Sequence, residues 1–121
     1  MAVKVVDASA LAALVFGESE AGAIVRRLKG ASLAAPALLW LEIANVCLKK
    51  MKKYADQQAA LRKAFDLALR LPITILPVDH GAVLDLAETK GITAYDAAYL
   101  WLAGHLKAEL VTLDARLIRR T

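Results

Sequence analysis

The amino-acid sequence predicts an α/β fold in which a short central parallel sheet is covered by helices on both faces, a three-layer α/β/α arrangement. Two observations lead to this prediction. The candidate strands, such as residues 3–6, are short and continuously apolar, which is typical of strands that are buried on both faces. Helix-length segments rich in alanine and leucine separate these strands, and strands that alternate with helices form parallel sheets.

Proline and β-branched residues mark the strands. We expect strands over residues 3–6, 31–35, 73–76 and 110–113. Pro36 stops the second of them, and Pro72 and Pro77 bracket the third, because proline removes a backbone donor and interrupts a strand. These segments therefore predict a sheet of four strands.

Capping residues and glycines mark the helices between these strands. We expect helices over residues 10–16, 19–29, 37–53, 56–71, 79–90 and 93–106, followed by a terminal helix that starts at Asp114. Gly17, Gly30 and Gly91 stand where three of these helices end, and Asp56 stands where an N-cap is expected, in line with the usual preferences of helix ends.

Length and composition limit the class of protein. A chain of 121 residues fits one domain spanning residues 1–121. Its 59% hydrophobic content excludes intrinsic disorder. No apolar run reaches the roughly 20 residues that a membrane helix needs, and the first residues lack the features of a signal peptide. The single cysteine, Cys47, excludes a disulfide framework. A cytoplasmic protein without a membrane segment is therefore expected.

Two acidic residues follow predicted strands. Asp7 ends the first strand and Asp114 follows the last. If these strands are neighbours, both carboxylates lie at the carboxyl edge of the sheet, where ligands of such folds bind. The alternative is that each aspartate only caps the helix that follows it, although Ser9 competes with Asp7 for that position.

Two further acids lie on predicted helices. Asp96 follows Thr93 at the spacing of a capping box, so it could serve the helix start, the site or both. Glu42 is the only charged residue between Lys29 and Lys49. A carboxylate buried in such an apolar segment needs a cation, donors or water; otherwise it belongs to a solvated stripe and pairs weakly with Lys49.

The four carboxylates would repel one another if they met in one crevice. Some of their pKa values would then rise unless a divalent cation were present. Mg²⁺ or Mn²⁺ is the expected partner, because these hard cations prefer oxygen ligands and keep several waters. Attack of water on a phosphodiester is the matching metal-assisted reaction.

Four segments of the chain resemble PIN-domain ribonucleases, in particular those that form the toxin of VapBC-type toxin–antitoxin pairs. The segments are VVDAS at residues 5–9, LEIAN at 41–45, TAYDAAY at 93–99 and LVTLD at 110–114. They occur in the family's order and approximate spacing, and together they cover nearly the whole chain.

The resemblance implies a metal-dependent endoribonuclease of PIN-like fold that hydrolyses RNA. It implies a catalytic and metal-binding quartet of Asp7, Glu42, Asp96 and Asp114, with Ser9, Asn45 and Thr112 as polar groups around the acids. It also implies a homodimer and a cognate antitoxin that lies along a hydrophobic groove. Many relatives continue into a further edge strand, which is why the number of strands is left open.

Basic and aromatic residues near the acids have two interpretations. Lys49, Lys53 and Arg116 could hold the RNA backbone or only solvate helix ends. Tyr95 and Tyr99 flank Asp96; they could stack on bases, but aromatic residues beside apolar runs usually belong to the core.

The charge distribution favours the nuclease interpretation. The net charge of +4 is the sum of two parts. The four acids of the proposed site contribute −4, and the remaining 8 acids and 16 bases contribute +8.

A receiver-like signalling domain would need paired acids after the first strand, and a phosphatase of the haloacid-dehalogenase type would need an acid where Ser9 stands. A partner-binding module without catalytic activity, in which the acids only cap helices, remains the main alternative.

Overall fold

A computed structural model describes residues 2–120 of the chain. Its centre is one sheet of four parallel strands in the order β3-β2-β1-β4. The strands are β1 (Val3–Val6), β2 (Ser32–Ala35), β3 (Ile73–Ile75) and β4 (Glu109–Val111). The predicted α/β fold with a short parallel sheet flanked by helices is confirmed, and the described part of the chain forms no fifth strand.

Two α-helices lie between each strand and the next one along the chain. The helices are α1 (Ala8–Val15), α2 (Ala21–Leu28), α3 (Leu38–Lys53), α4 (Gln58–Ala68), α5 (His80–Lys90), α6 (Ala94–Leu106) and the terminal α7 (Ala115–Arg120). Each predicted helix is present, with ends that differ from the prediction by a few residues. No helix within residues 2–120 is long and apolar enough to cross a bilayer.

The strand order creates a switch point between β1 and β4. The connections from β1 to β2 and from β2 to β3 run in one direction across the sheet, whereas the connection from β3 returns past β2 and β1 to β4. Because such crossovers are right-handed, the return places α5 and α6 on the face opposite to α1–α4. Ligands of parallel sheets bind outside the strand ends at such a point, and β1 and β4 end there.

The predicted Thr93 cap is present, Asp79 provides a cap that was not predicted, and the predicted Asp56 cap is wrong. Asp79 and Thr93 cap α5 and α6 by accepting hydrogen bonds from backbone N–H groups. Asp56, in contrast, lies inside a 3₁₀ turn (Ala55–Gln57), and α4 starts after Gln57 without a side-chain cap. The turn gives Asp56 a helical backbone, whereas a side-chain cap requires an extended one.

A core of small and branched side chains packs around the ends of β1 and β4. Val5 and Val6 of β1 are fully buried and pair with Leu110 and Val111 of β4. Leu11 of α1 packs in the same apolar cluster. The residues that follow Val6 and Val111 are therefore presented at the carboxyl edge from a close-packed base.

Candidate metal-binding crevice at the carboxyl edge of the sheet

Asp7 is the most buried acid of the site, with 4% of its surface exposed. Its Oδ1 accepts hydrogen bonds from the backbone N–H of Ala10 at 3.0 Å and from Ser9 Oγ at 2.7 Å. Its Oδ2 accepts a hydrogen bond from the hydroxyl of Thr112. Asp7 is thus the N-cap of α1 and at the same time a member of the crevice between β1 and β4.

Burial raises the pKa of the Asp7 carboxyl above its ordinary value. The hydrogen bonds from Thr112, Ala10 and Ser9 act in the opposite direction, and the negative charge of Asp114 adds to the increase. An increase is the direction expected for a carboxylate whose donors do not fully replace the water that it has lost.

The hydroxyls of Ser9 and Thr112 also hold the turn after β4. Ser9 Oγ accepts a hydrogen bond from the N–H of Leu113 at 2.9 Å. Thr112 Oγ1 accepts one from the N–H of Asp114 at 3.0 Å. Because the same two hydroxyls donate to Asp7, the end of β1 and the turn after β4 form one hydrogen-bonded unit.

Asp114 is the outer member of this unit. Its Oδ1 accepts a hydrogen bond from the backbone N–H of Arg116 at 2.9 Å, and the Arg116 guanidinium lies 3.5 Å from Oδ2. Partial burial acts to raise the pKa of Asp114, but the hydrogen bonds and the charge of Arg116 prevail and lower it. Asp114 is therefore held ionised at neutral pH.

Glu42 comes from α3 and meets a tyrosine of α6. The hydroxyl of Tyr99 donates a hydrogen bond of 2.6 Å to Glu42 Oε1. Burial raises the pKa of Glu42, the hydrogen bond from Tyr99 lowers it, and the charges of Asp7 and Asp96 raise it further. The partner of Glu42 is thus Tyr99, whereas Lys49, the partner in the alternative interpretation, is exposed to solvent.

Asp96 lies in the first turn of α6 and is half-buried. Its backbone N–H donates to the Thr93 hydroxyl at 3.1 Å, so the cap of this helix is supplied by the threonine. Its negative charge acts on both Glu42 and Tyr99. Asp96 therefore belongs electrostatically to the same group of acids.

Tyr99 is the residue of this crevice whose polar role sequence reasoning missed. Its expected place in the core is correct, since 1% of its surface is exposed. Burial and the neighbouring carboxylates raise the pKa of its phenol, so the hydroxyl stays protonated and acts as the donor to Glu42. One signal was available: Tyr99 is three residues from Asp96, and residues at that spacing share a helix face.

The remaining predicted residues lie on the surface, and within residues 2–120 the structure shows no hydrogen bond or ion pair of Asn45, Lys49 or Lys53 with the acids. Asn45 is exposed on α3, three residues after Glu42, and Lys49 is exposed on the same helix. Lys53 is also exposed, and its ammonium lies 5.4 Å from the centre of the Tyr54 ring. Arg116 is paired with Asp114.

The donor chemistry of the crevice fits a hard divalent cation. Within residues 2–120, no three histidine, cysteine, aspartate or glutamate side chains are close enough to form a complete ligand set. Mg²⁺ needs fewer, because it is usually bound by one or two carboxylates and keeps several waters. Burial and neighbouring acids raise the pKa values of Asp7 and Glu42, and a cation bound between these carboxylates would favour their ionised forms.

An apolar groove of about 560 Å³ lies at the same edge of the sheet. Pro36 and Leu38 line it where β2 ends, Leu76 and Val78 where β3 ends, and Tyr95 where α6 begins. Tyr95 precedes Asp96 directly and is 67% exposed, so the groove adjoins the acidic crevice.

Comparisons with known proteins agree with this architecture. The family model described as "PIN domain" matches residues 4–121. The fold is similar to the crystal structure of PAE2754 from Pyrobaculum aerophilum, with a TM-score of 0.81 and 26% sequence identity over 99% of this chain and 85% of that one. No curated protein matches the chain significantly.

Proposed function

The chain belongs to the PIN-domain family, whose fold is generally that of a nuclease, and we propose that it is a Mg²⁺- or Mn²⁺-dependent endoribonuclease. We further propose that it acts as the toxin of a toxin–antitoxin pair. Asp7, Glu42, Asp96 and Asp114 are its proposed catalytic and metal-binding residues.

One observation carries the proposal, namely the electrostatic coupling of acids that come from four different elements. Asp7 follows β1, Glu42 lies on α3, Asp96 starts α6 and Asp114 follows β4. The charge of Asp114 raises the pKa of Asp7, and the charges of Asp7 and Asp96 raise the pKa of Glu42. Helix capping explains why Asp7 stands where it does, but it does not explain why Asp114 and Glu42 interact with Asp7, or why Asp96 interacts with Glu42.

The side chains of the crevice have separable roles in this proposal. Asp7 and Asp96 would hold the cation, Glu42 would hold it or accept a proton from the attacking water, and Asp114 would complete the negative field. When bound, the metal would supply Lewis-acid activation of water and charge neutralisation at the phosphate. Ser9 and Thr112 orient Asp7 through their hydroxyls, and this orientation keeps one carboxylate geometry ready for binding.

Surface features support RNA as the substrate and a protein as the partner. Outside the four acids, the chain has 8 acids and 16 bases, a balance that attracts a polyanion. Lys49, Lys53 and Arg116 are candidates for contacts with the RNA backbone, and Asn45 for a polar contact near Glu42. The apolar groove beside Asp96 would receive the antitoxin. A cytoplasmic homodimer completes the proposal.

The test compares RNA cleavage by the wild-type protein with cleavage by Asp7→Asn, Asp96→Asn and the double variant. A 5′-labelled RNA mixture is incubated with Mn²⁺ or with EDTA, and Mn²⁺ binding is measured by calorimetry. Asp85→Asn is the matched control, because this aspartate is exposed on α5. Circular dichroism checks that every variant is folded.

We expect Mn²⁺-dependent cleavage by the wild-type and control proteins, and a loss of at least about 100-fold in the double variant. Cleavage that survives the double substitution would overturn the assigned site. A wild-type protein that neither binds Mn²⁺ nor cleaves RNA would instead favour the partner-binding module.

A further inference from the structure

Tyr99 has a ring that is buried in the apolar core and a hydroxyl that forms a hydrogen bond with an acid of the crevice. The ring packs in the main apolar cluster, together with Leu39 and Ile43 of α3. The hydroxyl donates to Glu42 Oε1 at 2.6 Å. A side chain whose ring is fixed by close packing presents its polar atom at one defined place.

The side chain of Glu42 is not fixed by close packing as the Tyr99 ring is. It is half-buried on α3, and a glutamate side chain has several rotatable bonds, so it loses considerable conformational freedom when it is held in one geometry. The short hydrogen bond from Tyr99 supplies that restraint. It engages Oε1, and the second carboxylate oxygen can take another ligand.

The same hydrogen bond links the two helix layers of the fold. Glu42 lies on α3, whereas Tyr99 lies on α6, one turn after Asp96. Residues three apart on a helix share a face, so Tyr99 and Asp96 lie on the face of α6 that borders the crevice. A shift of α6 relative to α3 would move both the donor to Glu42 and the second acid.

We propose that Tyr99 is a positioning residue, which holds Glu42 in the geometry that the cation site requires and fixes its separation from Asp96. This inference rests on the proposed function only in assuming that the crevice binds a divalent cation. Tyr99 itself touches neither metal nor substrate; it acts through Glu42.

A double-mutant cycle tests this role with Mn²⁺ affinity as the readout. The four proteins are the wild type, Tyr99→Phe, Glu42→Ala and the double variant, and calorimetry measures their Mn²⁺ dissociation constants. Tyr99→Phe keeps the packed ring and removes the hydroxyl alone. Tyr54→Phe is the control, because this tyrosine is exposed at the end of α3. Thermal unfolding of each variant checks the fold.

We expect Tyr99→Phe to weaken Mn²⁺ binding about tenfold, the size typical of groups that orient a ligand. In the Glu42→Ala background the same substitution should change the affinity by less than about twofold, because no carboxylate remains to be positioned. The KM for RNA should stay constant while kcat falls, since the RNA-binding surface is untouched.

If the wild type binds Mn²⁺, two results would overturn the proposal. One is unchanged Mn²⁺ affinity in Tyr99→Phe, and the other is a tenfold loss that persists in the Glu42→Ala background, which would indicate a merely structural role. If the wild type binds Mn²⁺ but does not cleave RNA, the nuclease function fails while the cycle still tests Tyr99. If the wild type binds no Mn²⁺ at all, both proposals fall.

Discussion

Replacing Thr112 by valine should expose how strongly the fold depends on the hydroxyl that binds Asp7. Thr112 is 2% exposed, and valine has nearly its shape, so the substitution removes polar contacts without opening a cavity. The hydroxyl donates to Asp7 Oδ2 and accepts the N–H of Asp114 at 3.0 Å. Both hydrogen bonds are lost in the variant.

The expected cost follows from these two bonds. A hydrogen bond to a charged group contributes about 2 kcal/mol, and one between neutral groups about 1 kcal/mol. Ser9 and Ala10 continue to donate to Asp7, so the carboxylate is not left without donors. We expect a loss of about 2–3 kcal/mol in the free energy of unfolding, equivalent to a decrease of about 10 °C in Tm for a domain of this size.

The loss should depend on pH with a defined sign. The pKa of Asp7 is raised in the folded protein, so the stability that this group contributes is greatest below its ordinary value of 3.8 and decreases as pH rises through the folded pKa. Removing the Thr112 donor raises that pKa further. The difference between wild type and variant should therefore grow as the pH increases from the ordinary value towards neutrality.

Chemical denaturation at several pH values measures this difference. Thr112→Ser is the first control, since it keeps the hydroxyl and should show no added pH dependence. Thr74→Val is the second, because Thr74 is exposed on β3 and its substitution should change stability by less than about 0.5 kcal/mol. A loss in Thr112→Val that is equal at acidic and neutral pH would refute the assignment of this hydroxyl as a donor to an ionised Asp7.

Two further predictions concern the helix ends and the surface. Gly91→Ala should destabilise the protein by about 1 kcal/mol, because this C-cap has a φ of 65°. Gly104→Ala on α6 should stabilise the protein by about 0.5–1 kcal/mol, because nothing lies within 4 Å of the added Cβ. Thermal unfolding compares the two glycine variants, and equal changes in stability would contradict the argument. Replacing Lys49 and Lys53 by alanine should weaken RNA binding and lower its salt dependence by about one counterion per lysine. Lys29→Ala, at the end of α2 and away from the crevice, is the control, and an equal loss there would indicate a diffuse charge effect.

The sequence predicts those features that depend on neighbouring residues. Apolar segments bounded by proline predict the strands, and Thr93 predicts the start of α6 because its cap involves Asp96, only three residues away. The prediction for Asp56 is wrong because a 3₁₀ turn, which this pattern does not reveal, takes the place of the first helical turn. In each of these cases the competition between conformations is local.

The partnership of Tyr99 and Glu42 depends instead on tertiary packing. The two residues are 57 positions apart, and each lies in an apolar helix that looks like ordinary core. The strand order brings these helices to the same edge of the sheet, and that order is not encoded in either segment alone. The four acids could therefore be proposed from the sequence, whereas the hydrogen bond between Tyr99 and Glu42 could not.

The hydrogen bonds of Asp7 limit what the other acids must do. A carboxylate offers about four lone-pair sites, and the N–H of Ala10 and the hydroxyls of Ser9 and Thr112 occupy three of them. Asp7 can therefore give a cation only one oxygen contact while it remains the cap of α1. Capping and the proposed metal binding are compatible roles for this residue, and in this proposal Glu42 or Asp96 supplies a further carboxylate oxygen, in line with the one or two carboxylates that usually bind Mg²⁺. If Glu42 is the residue that supplies this oxygen, the hydrogen bond from Tyr99 bears directly on the affinity of the proposed site for the cation.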